Sequence, residues 1–323
     1  MRASSKYRCR DCGRSFWQRF AGILPRKRAT EPFRRVCGAL GRGEPQSFGA
    51  AEGISSATVE RWFEDYLRRE DAERQGAPCP RVLGIDEYFF SRKEGYVTTL
   101  CDLRRHKVVD VVQGRSEAAL EDYLAKLPGK EQVRVVCMDL SSAYRSLVHK
   151  YFPKARIVAD RFHVIRLINH HFLACRREID PAGSKHRGLL SLMRRHRHNL
   201  KPGQQSKLEA YFDQFPALRE IYRFKQKLCY LLLQKHRTRK KCIPLVHGFL
   251  KALSDLSQAK LAQLVQLGQT FASWSVEIAL MWRFTRNNGI TEGFHTKMEV
   301  LQRQAYGFRN FRNYRSRVRV MCR

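Results

Sequence analysis

Between residues 81 and 160 the chain alternates short apolar runs with amphipathic stretches in an order that leaves few architectures open. Residues 81–90 (RVLGIDEYFF), 95–103 and 107–113 are three β-branched and aromatic runs with turn residues between them, which predicts consecutive strands. Residues 116–127 set Ala119, Leu120, Tyr123, Leu124 and Leu127 on the inward face of a helix, with Ser116 as its N-cap. VRVVCM (133–138) is a short, wholly apolar strand. A helix over 141–152 and a fifth strand at 156–159 follow, and another helix opens near Arg161.

From about 162 to 280 no strand pattern occurs. Apolar residues recur at helical spacing, as in 208–211, 221–234 and 245–267. The chain closes with a helix over 274–286, a break at Asn287-Asn288-Gly289 and a basic helix from about Thr291. The order β-β-β-α-β-α-β-α predicts an α/β fold: a ribonuclease H-like mixed sheet, three strands antiparallel and the rest parallel, carrying a large all-helical insertion. The expected division is 81–180 for the first part of this core, 181–280 for the insertion and 281–323 for the last part of the core.

The 323 residues carry 62 Lys+Arg against 30 Asp+Glu, a formal net charge of +32. A hydrophobic fraction of 43% suffices for a packed core, which excludes wholesale disorder. No apolar run approaches the ~20 residues needed to cross a bilayer, and the opening residues hold no apolar signal segment. The expectation is a cytoplasmic protein with a polyanionic partner, nucleic acid before membrane. The charge is unevenly spread: residues 81–160 hold 14 basic and 11 acidic residues, whereas 185–241 hold 16 and 3, and 281–323 hold 10 and 2.

The ten cysteines read as reduced thiols, with Cys101, Cys137 and Cys229 among apolar neighbours as small core residues. Cys9 and Cys12 form a CxxC, half of a zinc knuckle without its second pair, inside a basic region over 1–48. Residues 49–75 suggest a helix-turn-helix that reads DNA: Gly53 in the turn, a Ser55/Ser56 cap, then Val59, Trp62, Phe63 and Tyr66 on one helical face. An ordinary Ser-capped amphipathic helix fits the same residues. The preceding residues 37–49 are Gly-rich and poorly helical.

Three acids stand out by position. Asp86 lies inside an otherwise apolar strand, Asp139 directly follows VRVVCM, and Glu292 lies near the start of the helix after Asn288-Gly289. A carboxylate in a strand core is costly unless paired or bound to metal. In a sheet where the first and fourth strands are neighbours, Asp86 and Asp139 meet, and an acid from a later helix can complete a site for two Mg²⁺ (or Mn²⁺) ions. Taken singly, each acid also fits a plainer role as a cap or loop residue.

The segments VLGIDEYFF (82–90), VVCMDLSSAYRS (135–146), VADRFHVIRLIN (158–169) and NNGITEGFHTKMEVLQRQAYGFRNFRNYRSRV (287–318) resemble bacterial insertion-sequence transposases of the ISL-three family, DDE-type enzymes. The resemblance runs from about residue 81 to the end. It implies that Asp86, Asp139 and Glu292 are the catalytic, metal-binding triad. Asp160 and His163 match a D-x-x-H signature of related transposases and could support the metal site or contact DNA; an N-capping Asp and a locally bonded His fit equally. Such enzymes usually begin with two CxxC pairs that bind Zn²⁺. Only Cys9/Cys12 is present, which predicts an N-terminally truncated chain.

Clustered cations nominate DNA contacts at Arg194, Arg195, Lys240 and Lys241 in the insertion and at Lys297, Arg303, Arg309 and Arg312 after the third acid. Tyr306, Phe308 and Phe311 fit core packing better than base stacking. The resemblance implies double-stranded DNA partners, the terminal inverted repeats of an element and its target, bound by a homo-oligomer. Two other classes fit the residues: a catalytically impaired remnant that only binds DNA, and a ribonuclease H-like nuclease that cuts without joining.

Overall fold

A computed structural model describes residues 6–17, 29–40, 51–74, 76–236, 238–284, 289–305, 307–308 and 310–322. Two compact units emerge, one of residues 1–75 with 300–321 and one of residues 76–299 with 322–323.

In the smaller unit, β1 (Lys6–Arg8) and β2 (Ser15–Trp17) pair antiparallel, with Tyr7 opposite Phe16. Among its described residues are helices α1 (Glu31–Leu40), α2 (Ser56–Ala72) and α13 (Phe311–Met321). Of the apolar face read from the sequence, α2 buries Val59 and Phe63 and leaves Trp62 and Tyr66 half-buried; Leu67 is buried beside them. Phe63 and Leu67 meet Val320 of α13, and Arg317 lies over the Phe63 ring at 5.0 Å. Arg34 of α1 reaches Asp65 of α2 at 2.6 Å, and Arg319 reaches Asp71 at 3.0 Å. Gly53 has φ +63°, a left-handed turn that glycine adopts without cost, and Ser55 is the N-cap of α2. The expectation of poor helicity from residue 37 is corrected in part: Cys37 to Leu40 complete α1, because Cys37 is buried and anchors that turn. Residues 41–50, where the first helix of a helix-turn-helix would fall, lie outside the described residues.

The larger unit holds a five-stranded sheet of order β5-β4-β3-β6-β7, built from β3 (Val82–Ser91), β4 (Gly95–Asp102), β5 (Lys107–Gln113), β6 (Val135–Met138) and β7 (Arg156–Ala159). The pairs β3/β4 and β4/β5 are antiparallel; β3/β6 and β6/β7 are parallel. Helix α3 (Glu117–Lys126) links β5 to β6, and α4 (Ser142–Tyr151) links β6 to β7. Ser116 and Ser141 cap them, accepting from the amides of Ala119 and Tyr144. Leu120, Leu124 and Leu127 are buried as expected, but Ala119 is exposed, since it falls just outside the stripe that faces the sheet.

Helices follow in succession: α5 (Arg161–Ile179), α6 (Arg187–Arg194), α7 (Pro202–Gln214), α8 (Pro216–Leu233), α9 (Arg239–Ser257), α10 (Ala262–Ser273) and α11 (Ser275–Arg283). The periodic run 245–267 is not one helix. It breaks between Ser257 and Ala262, and Gly268 then packs so closely on α9 that a Cβ there would stand 2.9 Å from Leu256 Cβ. One core runs from the sheet through Leu228, Leu232, Phe249 and Phe271 to Trp282; a second gathers Phe172, Met193, Leu208, Phe212 and Leu218. Buried Arg161, at the start of α5, donates to the carbonyls of Met281 (2.6 Å) and Gln234 (3.3 Å), tying the ends of α11 and α8 to the edge of the sheet. Helix α12 begins at Gly289 and extends to Gln304. Cys101, Cys137 and Cys229 are buried thiols, and no helix among the described residues is long and apolar enough to cross a membrane.

Candidate active site on three parallel strands

Strand register brings the acids together. The parallel pair β3/β6 matches Gly84 with Cys137, so two residues further on Asp86 stands level with Asp139. The pair β6/β7 matches Met138 with Ala159, so one residue on Asp139 stands level with Asp160, whose amide donates to the Met138 carbonyl at 2.6 Å. Asp86 within β3, and Asp139 and Asp160 just past the ends of β6 and β7, thus stand at the same level of three neighbouring strands. The apolar runs fix the strands by burial, and the acids follow because they are in register with those runs.

The environment is poor in water and rich in negative charge. Asp86 is 5% exposed and Asp160 is fully buried. Burial pushes the Asp86 carboxyl up to about 7; His163 and the Glu87 amide oppose the rise, and Asp139 and Asp160 add to it. Burial also raises Asp139, again with Asp160 adding and His163 opposing, and its Oδ1 is buried with no hydrogen-bond partner. Asp160 occupies the N-cap position of α5 but its side chain caps nothing; its Oδ2 meets His163 Nδ1 at 2.8 Å. Burial alone would lower His163, but the bond to Asp160 and the charges of Asp160, Asp86 and Asp139 raise it on balance. Glu87 points to the other face and pairs with Arg115 at 2.9 Å.

Helix α12 contributes Glu292 in its first turn and His295 one turn later. Glu292 is half-buried, its carboxyl raised by burial and by Asp160 and lowered by His163 and Arg166. His295 covers the cross-strand pair Asp86–Thr99: its Nε2 is 3.2 Å from Thr99 Oγ1, its Nδ1 is 4.0 Å from Asp86 Oδ2, and its ring packs on Tyr88 at 5.1 Å. Burial, with the nearby His163, holds His295 down to about 4, so the imidazole is neutral at physiological pH. The sequence reading did not single out His295. The available signal was the spacing Glu292-x-x-His295, which repeats Asp160-x-x-His163.

The oxygen-only carboxylate set and the orphaned Asp139 Oδ1 suit a hard divalent cation. Among the described residues, no group of three His, Cys, Asp or Glu side chains is yet drawn tightly enough to enclose an ion. A family model described as a transposase, of the DDE type and ISL3 class, matches residues 83–318.

The chain belongs to the ISL3 family of DDE transposases.

The chain is also 22% identical over 324 residues to the transposase for insertion sequence element IS1001 of Bordetella parapertussis, covering 97% of this chain and 78% of that protein. The family match spans Asp86, Asp139, Asp160 and Glu292. In this transposase the expected DNA-contacting cations Arg194 and Arg195 close α6, and Lys240 and Lys241 lie in the first turn of α9; all four are exposed. Lys297, Arg303 and Arg312 are exposed as well, with the Lys297 ammonium 5.3 Å from the Phe294 ring. Arg309 and Tyr306 lie outside the described residues. Phe308 and Phe311 pack on Tyr314, at 5.2 and 6.1 Å, and both are half-buried. Cys9 and Cys12 flank the turn of the β1/β2 hairpin, where the amides of Cys12 and Asp11 and the Cys12 thiol pull the Cys9 thiol down. They offer two of the four ligands of a structural zinc site, and among the described residues no third joins them.

Proposed function

We propose that this protein is the transposase of an insertion sequence, which binds the element's ends, cuts DNA and joins the 3′ ends to a target. The reading rests on one observation above others: within the family-matched segment, Asp86 and Asp139 are level on adjacent parallel strands. The sheet is assigned to the ribonuclease H-like class on its strand order. Asp86, Asp139 and Glu292 are assigned as the metal-holding acids. There Mg²⁺ or Mn²⁺ would supply the charge neutralisation that an in-line phosphoryl displacement needs.

The chain's own residues then have separable roles. Asp86 and Asp139 present carboxylates from within β3 and from just past the end of β6, where burial keeps water from screening them. Thr99 and His295 brace Asp86 from the neighbouring strand and from α12. Asp160 engages His163 at Nδ1, which leaves Nε2 as the nitrogen to exchange a proton with a DNA oxygen. Glu292 enters from a helix rather than a strand, so a small movement of α12 can complete the acid group once DNA is bound. The segment 49–75 is assigned to reading the element's ends as a helix-turn-helix, the insertion 181–280 to phosphate contact, and the working form to an oligomer on paired ends.

A strand-transfer assay with element-end oligonucleotides in Mg²⁺ tests this. Wild type is expected to cut and join, and Asp86→Ala, Asp139→Ala and Glu292→Ala to do neither. Salt-sensitive binding without cleavage by the wild type would favour a DNA-binding remnant, and cleavage without joining would favour a nuclease.

A further inference from the structure

One face of α5 opens into a groove of about 650 Å³ beside the acid group. Phe162, Arg166, Asn169, Leu173 and Arg177 recur along it at helical spacing, and Arg194 at the end of α6 faces them. From Phe162 to Arg177 the helix rises about 22 Å at 1.5 Å per residue, enough for several nucleotides at roughly 3.4 Å each along a stacked strand. Three features are unusual in a helix-helix crevice. Among the described residues no Asp or Glu lines it, so the three guanidinium groups face no described carboxylate within it. Phe162, which should be buried if it served the core, is 49% exposed and edge-on to the His163 ring at 5.6 Å. Asn169 has a buried Oδ1 with no hydrogen-bond partner.

The groove also begins at the chemistry. Phe162 lies between Arg161 and the His163 that holds Asp160, and Arg166 is near enough to act on the Glu292 carboxyl. A duplex has its bases stacked inward and cannot lay one on Phe162; an unpaired strand can. Arginines that track a backbone and an exposed ring for a base are the parts of a single-strand site. We infer that this groove binds an unpaired segment of DNA next to the scissile phosphate, with a base on Phe162 and phosphates on Arg166, Arg177 and Arg194. The inference deepens the transposase reading and rests on it for the source of the strand.

The test uses the full chain and a dT oligonucleotide bearing 5-iododeoxyuridine, at salt high enough to suppress general phosphate binding. Crosslinking is expected at Phe162, and Phe162→Leu, which keeps apolar bulk without a ring, is expected to abolish that crosslink and weaken binding roughly 5- to 150-fold. Phe162→Tyr should restore both. Arg177→Gln and Arg194→Gln should each lower the salt slope of binding by ~0.7. All three positions are exposed, so the variants are expected to fold. A crosslink mapping elsewhere, or binding indifferent to Phe162→Leu, overturns the inference. Plasmid nicking by Asp139→Ala separates the two readings. Loss of nicking with an unaltered Phe162→Leu variant sinks the groove alone. Retained nicking with a Phe162-dependent crosslink leaves a single-strand site but removes Asp139 from catalysis.

Discussion

Asp86 and His295 face each other across 4.0 Å, one from the middle of a sheet and the other from a helix late in the chain, and their titrations oppose. Burial lifts the Asp86 carboxyl from 3.8 to about 7, so the native state holds that proton more tightly than the unfolded chain does. Asp86 therefore favours folding at low pH, and this contribution is lost as pH climbs from about 4 to about 7. Burial lowers His295 from 6.5 to about 4, so its contribution is complete above 6.5 and lost as pH falls toward 4.

In chelator, the two slopes should largely offset each other in wild type. Asp86→Asn leaves the His295 slope, so stability should rise between pH 4 and 6.5. His295→Gln leaves the Asp86 slope, so stability should fall over the same range, each by at most ~1.4 kcal/mol per pH unit. Urea unfolding at a series of pH values measures this. Identical pH profiles for the two variants would refute the opposition.

Arg145 joins the helix after β6 to the start of α11. Its guanidinium stacks on Trp274 at 3.4 Å, pairs with Glu277 at 2.9 Å and donates to the Ser273 carbonyl at 2.8 Å. Lysine keeps the charge but not the flat, forked geometry. Both Arg145→Lys and Arg145→Ala should therefore cost about 1–3 kcal/mol of stability. A Lys variant as stable as wild type by urea unfolding would show that charge alone suffices.

Lys240 and Lys241 sit exposed in the first turn of α9. If both touch phosphates of duplex DNA, the double change to Gln should lower the slope of log affinity against log salt by ~2, weakening all sequences alike. An unchanged slope would place the duplex elsewhere.

Much of this was legible in the sequence because sheet burial writes itself as apolar runs. The strand at Arg156–Ala159 and the cap Ser116 are where the pattern places them. Asp86 and Asp139 could be singled out since each is an acid in or just past such a run. Other features depend on contacts between distant residues, which local periodicity does not encode. Leucine spacing continues through 258–261, yet the chain turns there and seats Gly268 on Leu256. His295 looks like one more helix residue until α12 lays it over Thr99. The alignment of Asp160 with Asp139 depends on a register that only the paired strands reveal.

The claim that the levelled aspartates form the reactive centre is tested most directly by Mg²⁺-dependent nicking of DNA carrying the element's end, comparing wild type with Asp139→Asn. Asn keeps the shape of the side chain and removes a buried charge whose Oδ1 has no partner. The variant should fold, melt no lower than wild type in chelator and bind DNA with the same affinity, yet fail to nick at any Mg²⁺ concentration. Nicking by Asp139→Asn at the wild-type rate would contradict the account.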